Sequence, residues 1–430
     1  MKRIVSFITT YVFLCAIFCF VLFGENQNDV PEGSVSHDVE QEELEQEDSV
    51  QKDYIQENQP TSVIHKPVPE QSYYQYSRLN DLEKTIYDKL NRAVKKMDTS
   101  VDLSSYKCSK DMIEKIYAAL VADYPQYFYL TKNCSYSYDS KKQCVNQLFL
   151  MYTDGTTTDQ YDDSGKRMIT ANRDVITHKI NVFEAKISEF IRSIPSDSSA
   201  LEKEKRIYEF IQSHVAYDMQ AADLINNPNV IQVPHAYDVY GATCEGNAVC
   251  EGYAKLFQYL CYCVGVNSTV VFGTSSGQPH MWNCVELDNE WYMLDVTWDD
   301  SGKENLYCYS YFNLTRSKMS EDHVVDTSTL KVPSCVSDTY AFYNQYALYV
   351  SDISSAPTNY QQVLDRLVQK GDKQLCLYRG NQSGSMQEYI GKQILRTNSE
   401  VQQYISSKGY AIDLEHSYIE AGEYCYIYLK

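Results

Sequence analysis

The pattern of apolar and polar positions divides the chain into unlike segments. From Ile4 to Gly24 it is apolar apart from Ser6, Thr9 and Thr10, with Lys2 and Arg3 in front. Residues 25–72 then alternate Glu, Gln, Asp and Pro with few large apolar side chains, too few to offset chain entropy, so this segment is expected to be a disordered linker. From about 78 the period becomes helical: Leu79, Leu82, Ile86, Leu90 and Val94 recur every three or four residues with charges between. A second helix is expected over 109–122. A strand follows at Tyr127–Leu130, then a strand pair within 134–152 and a turn at Thr153-Asp154-Gly155. Helices over 173–193 and 198–216 flank Pro195, the second with Leu201, Ile207, Tyr208, Ile211 and Val215 on one face and Glu202, Lys203, Glu204 and Lys205 on the other.

The most informative pattern begins at Cys250. Tyr253, Leu256, Phe257, Leu260 and Val264 form an apolar face at helical spacing that stops at Gly265, which places Cys250 in a first helical turn. Unpaired amides and the helix dipole favour an anion there, so a thiol gives up its proton more readily. Gly252 leaves one side of that turn bare, open to an extended substrate. Further on, His280–Leu287 and Trp291–Asp295 read as two strands joined at Asp288-Asn289. In that register His280 lies opposite Thr297 and Asp295 opposite Trp282. The two side chains then share one sheet face as diagonal neighbours, roughly 7–8 Å apart along the backbone. A one-residue slip would send them to opposite faces. Cysteine, histidine and aspartate in this order supply a thiol nucleophile, its base and the group that orients the base. Cys244, ahead of the helix face, is the rival thiol, and His323 in Glu321-Asp322-His323 is a further candidate with a structural role as the simpler reading.

Beyond 338, short strands at 348–350, 374–378 and 424–429 and helix-like stretches at 359–369 and 386–407 suggest a small α/β unit with no catalytic grouping of its own. The acids Asp154, Asp159, Asp162 and Asp163 invite a calcium reading, but their spacing fits no loop motif. No metal and no cofactor is expected.

Composition sharpens this picture. The chain has 430 residues, 43 % of them hydrophobic and 22 % charged, with a formal charge of −20. Residues 25–60 hold twelve Asp/Glu against the single Lys52. With no basic stripe, nucleic acid is not an expected partner. The N-terminal run is long enough to span a bilayer and lacks small residues at a cleavage site, so it is expected to be an uncleaved membrane anchor, with a cleaved signal peptide as the alternative. The cations ahead of it place the rest of the chain on the extracellular face of the membrane, or secreted if the run is cleaved. Of fourteen cysteines, Cys134 with Cys144 and Cys376 with Cys425 are the first pairs to test as disulfides.

Tyr240-Gly241-Ala242, Val249-Cys250-Glu251-Gly252-Tyr253-Ala254, His280-Met281-Trp282-Asn283 and Trp291–Asp299 together resemble the transglutaminase-like superfamily, of exported bacterial type, among the papain-like thiol enzymes. The resemblance covers roughly 200–325. It implies an α+β core in which a Cys-bearing helix packs on an antiparallel sheet carrying His and Asp. Cys250 is then nucleophile, His280 general base and acid, Asp295 the orienter and Tyr240 an oxyanion candidate. The organisation expected is an anchor or signal at 1–24, a linker at 25–72, an N-terminal α/β region at 73–195, a catalytic core at 196–330 and the C-terminal unit at 338–430. The chain has no room for the flanking β-domains of animal transglutaminases, which speaks against calcium control. The activity implied is a peptidase or amidase acting on extracellular or cell-wall peptides. Protein cross-linking and a non-catalytic binding or scaffold role at the cell surface are the alternatives.

Overall fold

The computed structural model describes residues 24–25, 65–153, 171–224, 235–302, 307–349, 359–379, 399–411, 418–421 and 423–429. In chain order these form β1 (Gly24–Glu25), α1 (Asp81–Lys95), β2 (Ser100–Asp102), α2 (Lys110–Asp123), β3 (Ser135–Asp139), β4 (Cys144–Phe149), α3 (Arg173–Ser193), α4 (Ala200–His214), β5 (Ala216–Tyr217) and β6 (Asn247–Ala248). Then come α5 (Cys250–Cys263), β7 (Ser268–Ser275), β8 (Gln278–Leu287), β9 (Glu290–Leu294), β10 (His323–Val325), β11 (Leu348–Tyr349), α6 (Tyr360–Lys370), β12 (Gln374–Tyr378), α7 (Glu400–Ser407), β13 (Tyr418–Ala421) and β14 (Tyr424–Tyr428). The fold is α+β. Its central sheet, ordered β10-β7-β8-β9, is antiparallel throughout and carries α5.

Local chemistry sets the helix ends. Asn80 and Glu83 form a capping box at α1, as Ser199 and Glu202 do at α4, and Ser109 caps α2. Ile86, Leu90 and Val94 are fully buried as their period demands, but Leu82 points outward at 42 % exposure. The polar face assigned to α4 is not wholly polar in its surroundings either. Glu204 is buried and accepts a bond from Asn313 Nδ2 at 3.0 Å, and Lys205 is buried beside Glu209 and Asp372. Segments far along the chain cover what the helix alone would leave in water.

Tyr127–Leu130 is not a strand. Tyr127 N–H donates to Tyr124 O and Leu130 N–H to Tyr127 O, making consecutive turns that bury all four side chains. A single bridge from Leu130 to Tyr152 is the strand-like remnant. The acids proposed for calcium lie outside the described residues, as do 386–398 of the last helix-like stretch.

The expected disulfides are free thiols, for reasons of register. Cys376 faces Tyr426 and Cys425 faces Leu377, so the two sulfurs leave the sheet on opposite faces. Cys144 pairs opposite Asp139 at the turn end of its hairpin, while Cys134 precedes the first residue of β3 at the other end.

The N-terminal anchor is also corrected, and with it the membrane as a partner and a membrane-anchored location. No helix among the described residues is long and apolar enough to cross a membrane. Of the apolar run the structure describes Gly24, which lies in a two-residue strand pairing parallel with β3; the remainder lies outside the described residues.

Gly252 has a role other than the open approach expected of it. A Cβ there would stand 2.6 Å from the Ala248 Cβ and 3.1 Å from the Asp238 carbonyl oxygen. The bare side of the first turn is what lets the 236–248 segment lie against α5. Gly252→Ala should therefore destabilise the fold by about 1–3 kcal/mol through overpacking, despite the better helix propensity of alanine. Urea unfolding would show this as a lowered midpoint at constant slope, and an unchanged midpoint would mean that the contact has slack.

Candidate active site

The turn Asp288-Asn289 has φ of 51° and 65°, the left-handed pair that a tight two-residue hairpin needs. It sets Leu287 opposite Glu290 and Asn283 opposite Leu294, the register expected from the sequence. The ladder ends at Leu294. Asp295 leaves the strand and caps the short helical turn Val296–Asp299, its Oδ1 accepting from the Thr297 and Trp298 amides at 2.9 and 3.2 Å. That capping fixes the carboxylate and aims Oδ2 back at the sheet.

Two imidazoles meet Oδ2. His280 Nε2 lies 2.5 Å from it and His323 Nε2 lies 3.0 Å from it. Asp295 is buried, and the side chains of His280 and His323 are 8 % and 0 % exposed. Burial disfavours the His280 cation, but Asp295 and the Cys250 side chain, both hydrogen-bonding neighbours of the ring, outweigh it and push the group up to about 10. Burial favours the neutral acid at Asp295, yet His280 and then His323 hold it well below the usual carboxylate range. The stabilisation from His280 is thus complete below about pH 6.5 and lost as pH rises toward 10, and that from Asp295 is present above about pH 4 and lost on acidification.

Cys250 begins α5 after Val249, which takes the N-cap position, and it is partly exposed. Helix and sheet are tied beneath it by Asn283 Nδ2, which donates to Ala254 O at 2.9 Å. Gly265, at φ +83°, ends the helix as the sequence suggests.

The other sequence candidates have surroundings of their own. Cys244 sits in the π-helical turn Gly241–Glu245, where burial pushes its thiol up to about 11. The Tyr240 ring packs 5.1 Å from Phe128 and 4.8 Å from His235, with Lys179 Nζ 5.5 Å above it; none of these ring contacts is with Cys250 or His280. What the sequence did not reveal is the surround of His280: Trp282 stacked at 5.9 Å, Trp298 at 6.2 Å and 38 % exposed, and His323 at 5.4 Å. The adjacency Asp322-His323 was the signal available, but its meeting with Asp295 depends on β10 pairing with β7.

Donor atoms of His280, Asp295 and His323 lie within 4.8 Å of one another, a grouping that a metal could use. Ligands on a tetrahedral zinc at about 2.0–2.1 Å stand roughly 3.3 Å apart. The 2.5 and 3.0 Å separations are shorter than this and are those of N–H···O hydrogen bonds.

Residues 188–296 match the transglutaminase-like superfamily. The chain is 28 % identical over 159 residues to the kyphoscoliosis peptidase of Mus musculus and 27 % identical over 159 residues to that of Homo sapiens. These alignments cover 33 % of this chain and 22 % of each relative, so the chain spans about a fifth of the length of the curated proteins it matches. A crystal structure of a TGase aligns with 54 % of this chain and 66 % of its own at 15 % identity, with a TM-score of 0.26. The matched segment, which contains Cys250, His280 and Asp295, is thus similar at low identity to the transglutaminase-like superfamily.

Proposed function

We propose that this chain is a thiol acyl-transfer enzyme whose usual acceptor is water, a peptidase or amidase. Cys250 attacks an amide carbonyl, His280 takes the thiol proton and returns it to the leaving amine, and Asp295 orients His280. Water then cleaves the thioester, with His280 again as base. The observation that carries this reading is the hydrogen bond of His280 Nε2 with Asp295. With one proton held on Nε2 by Asp295, Nδ1 is the nitrogen left to exchange a proton with Cys250, the ring's other hydrogen-bonding neighbour.

Two further features support the proposal. The Cys250 backbone N–H, at the first position of α5, suits one position of an oxyanion hole. Trp298, exposed beside His280, offers an aromatic surface on which a substrate side chain can lie. The relatives named as peptidases favour hydrolysis over transfer.

Casein incubated with the chain, with and without a fluorescent primary amine, separates the two outcomes. New amino termini or released ammonia without incorporated fluorophore are expected. Incorporation of the amine as the main product would make the protein a cross-linking transferase instead, and no reaction in either arm would leave it a binding module.

A further inference from the structure

His323 lies beyond the matched segment and is the second imidazole on Asp295. It opens β10, opposite Ser275 of β7. Its side chain is fully buried, and its two nitrogens face two different carboxylates: Nδ1 stands 2.5 Å from Asp322 Oδ1 and Nε2 stands 3.0 Å from Asp295 Oδ2. A neutral imidazole has one N–H and can satisfy only one of them, whereas the imidazolium donates to both. Trp282, Trp298 and Tyr311 wall the ring at 5.0, 5.3 and 5.4 Å, so it can neither turn away nor trade a carboxylate for water.

We propose that His323 is a positioning residue for the Cys250–His280 pair: a buried cation bridging Asp322 and Asp295, it divides the Asp295 carboxylate between two imidazoles and sets the pH range in which His280 exchanges its proton. This rests on the reading of Cys250 as nucleophile and His280 as base. Without His323, Asp295 would serve His280 alone and hold its proton more firmly, leaving a weaker acid for the leaving amine. With it, one carboxylate faces two cations that repel each other.

The charged and titratable groups around the ring agree with this assignment. Asp322 is itself held by Tyr311, whose hydroxyl donates to Oδ2 at 2.6 Å. Asp299 lies behind Asp295 and His280 lies across it, with Cys250 beyond. Burial opposes charge on His323, but the hydrogen bonds it donates to Asp295 and Asp322 overcome it and raise the group above its ordinary value. The charge of His280 acts in the opposite sense on His323, and by reciprocity His323 does the same to His280. Because its value is raised, His323 contributes stability below about pH 6.5 that is lost as pH rises through its folded-state value.

The test is a pH titration of the full chain labelled with ¹⁵N-histidine, read from ring nitrogen shifts. In the wild-type chain His323 should carry protons on both nitrogens near pH 7. In His323→Gln, which keeps a neutral donor toward Asp295, the His280 midpoint should rise by about one pH unit as a neighbouring positive charge is lost. Asp322→Asn, at a carboxylate 35 % exposed, is the variant less prone to misfold, and there His323 should lose its second proton near neutral pH. A His323 with a single proton in the wild-type chain, or an unmoved His280 midpoint in a folded His323→Gln chain, would overturn the proposal. Iodoacetamide labelling in parallel keeps the two readings apart. Cys250 labelling no faster than Cys244 or Cys263 removes the thiol-enzyme reading on which the role depends, whereas fast labelling with an unmoved His280 midpoint removes only the role of His323.

Discussion

Iodoacetamide should label Cys250 ahead of the other described cysteines at pH 7, and His280→Ala should slow that labelling by about 10²-fold, the usual worth of a positioned base. The contrast is built into the fold. Of the twelve described cysteines nine are buried, leaving Cys244, Cys250 and Cys263 partly exposed. Burial pushes Cys244 up to about 11 and Cys263 up to about 12, so on the order of 10⁻⁴ and 10⁻⁵ of each is thiolate at pH 7. Cys250 alone among the three opens a helix and has His280 as a hydrogen-bonding neighbour. Peptide mapping after a short pulse gives the order of labelling directly. Should Cys244 or Cys263 take the label as fast as Cys250, or should His280→Ala leave the Cys250 rate where it was, the thiol and base assigned here would be wrong.

The parts of this site that could be read from the sequence are those fixed by neighbours along the chain. The apolar period after Cys250 and the glycine at 265 delimit α5 to within a residue or two, and the two-residue turn Asp288-Asn289 determines the register that brings the start of β8 near the end of β9. Where the reading failed, contacts distant in sequence decide the outcome. Glu204 looks solvent-facing on a helical wheel until Asn313 arrives to bind it, and Gly252 looks like an opening until Ala248 and Asp238 pack against it. Cys376 and Cys425 look like partners on neighbouring strands, but a register offset of one residue puts them on opposite faces. The pairing of β10 with β7, which brings His323 to Asp295, has no local signal at all. Asp295 is an intermediate case: its place near His280 follows from the hairpin, while its departure from the strand to cap the next turn follows from tertiary structure.

That double duty makes Asp295→Asn the most damaging isosteric change expected at the site, with a loss of roughly 10³–10⁴-fold in turnover. The carboxylate accepts four hydrogen bonds, from the Thr297 and Trp298 amides on Oδ1 and from His280 and His323 on Oδ2. An asparagine has one acceptor oxygen and one donor amide. With the oxygen toward the two backbone amides, its NH₂ meets two imidazole nitrogens that had been donating. His280 must then move its proton to Nδ1, facing Cys250 with a donor where a base is needed. With the oxygen toward the imidazoles, the NH₂ opposes the Thr297 and Trp298 amides and the cap is lost. Neither orientation satisfies all four partners, so a fall in stability accompanies the fall in rate, about 3–5 kcal/mol if the buried cations lose their counter-charge outright. Thermal melting separates the two effects: at a temperature where the variant is fully folded, Cys250 labelling by iodoacetamide should fall to the rate of His280→Ala and hydrolysis of a casein substrate should disappear. A folded Asp295→Asn chain that labels and hydrolyses like the wild type would show that His280 is oriented by something other than Asp295.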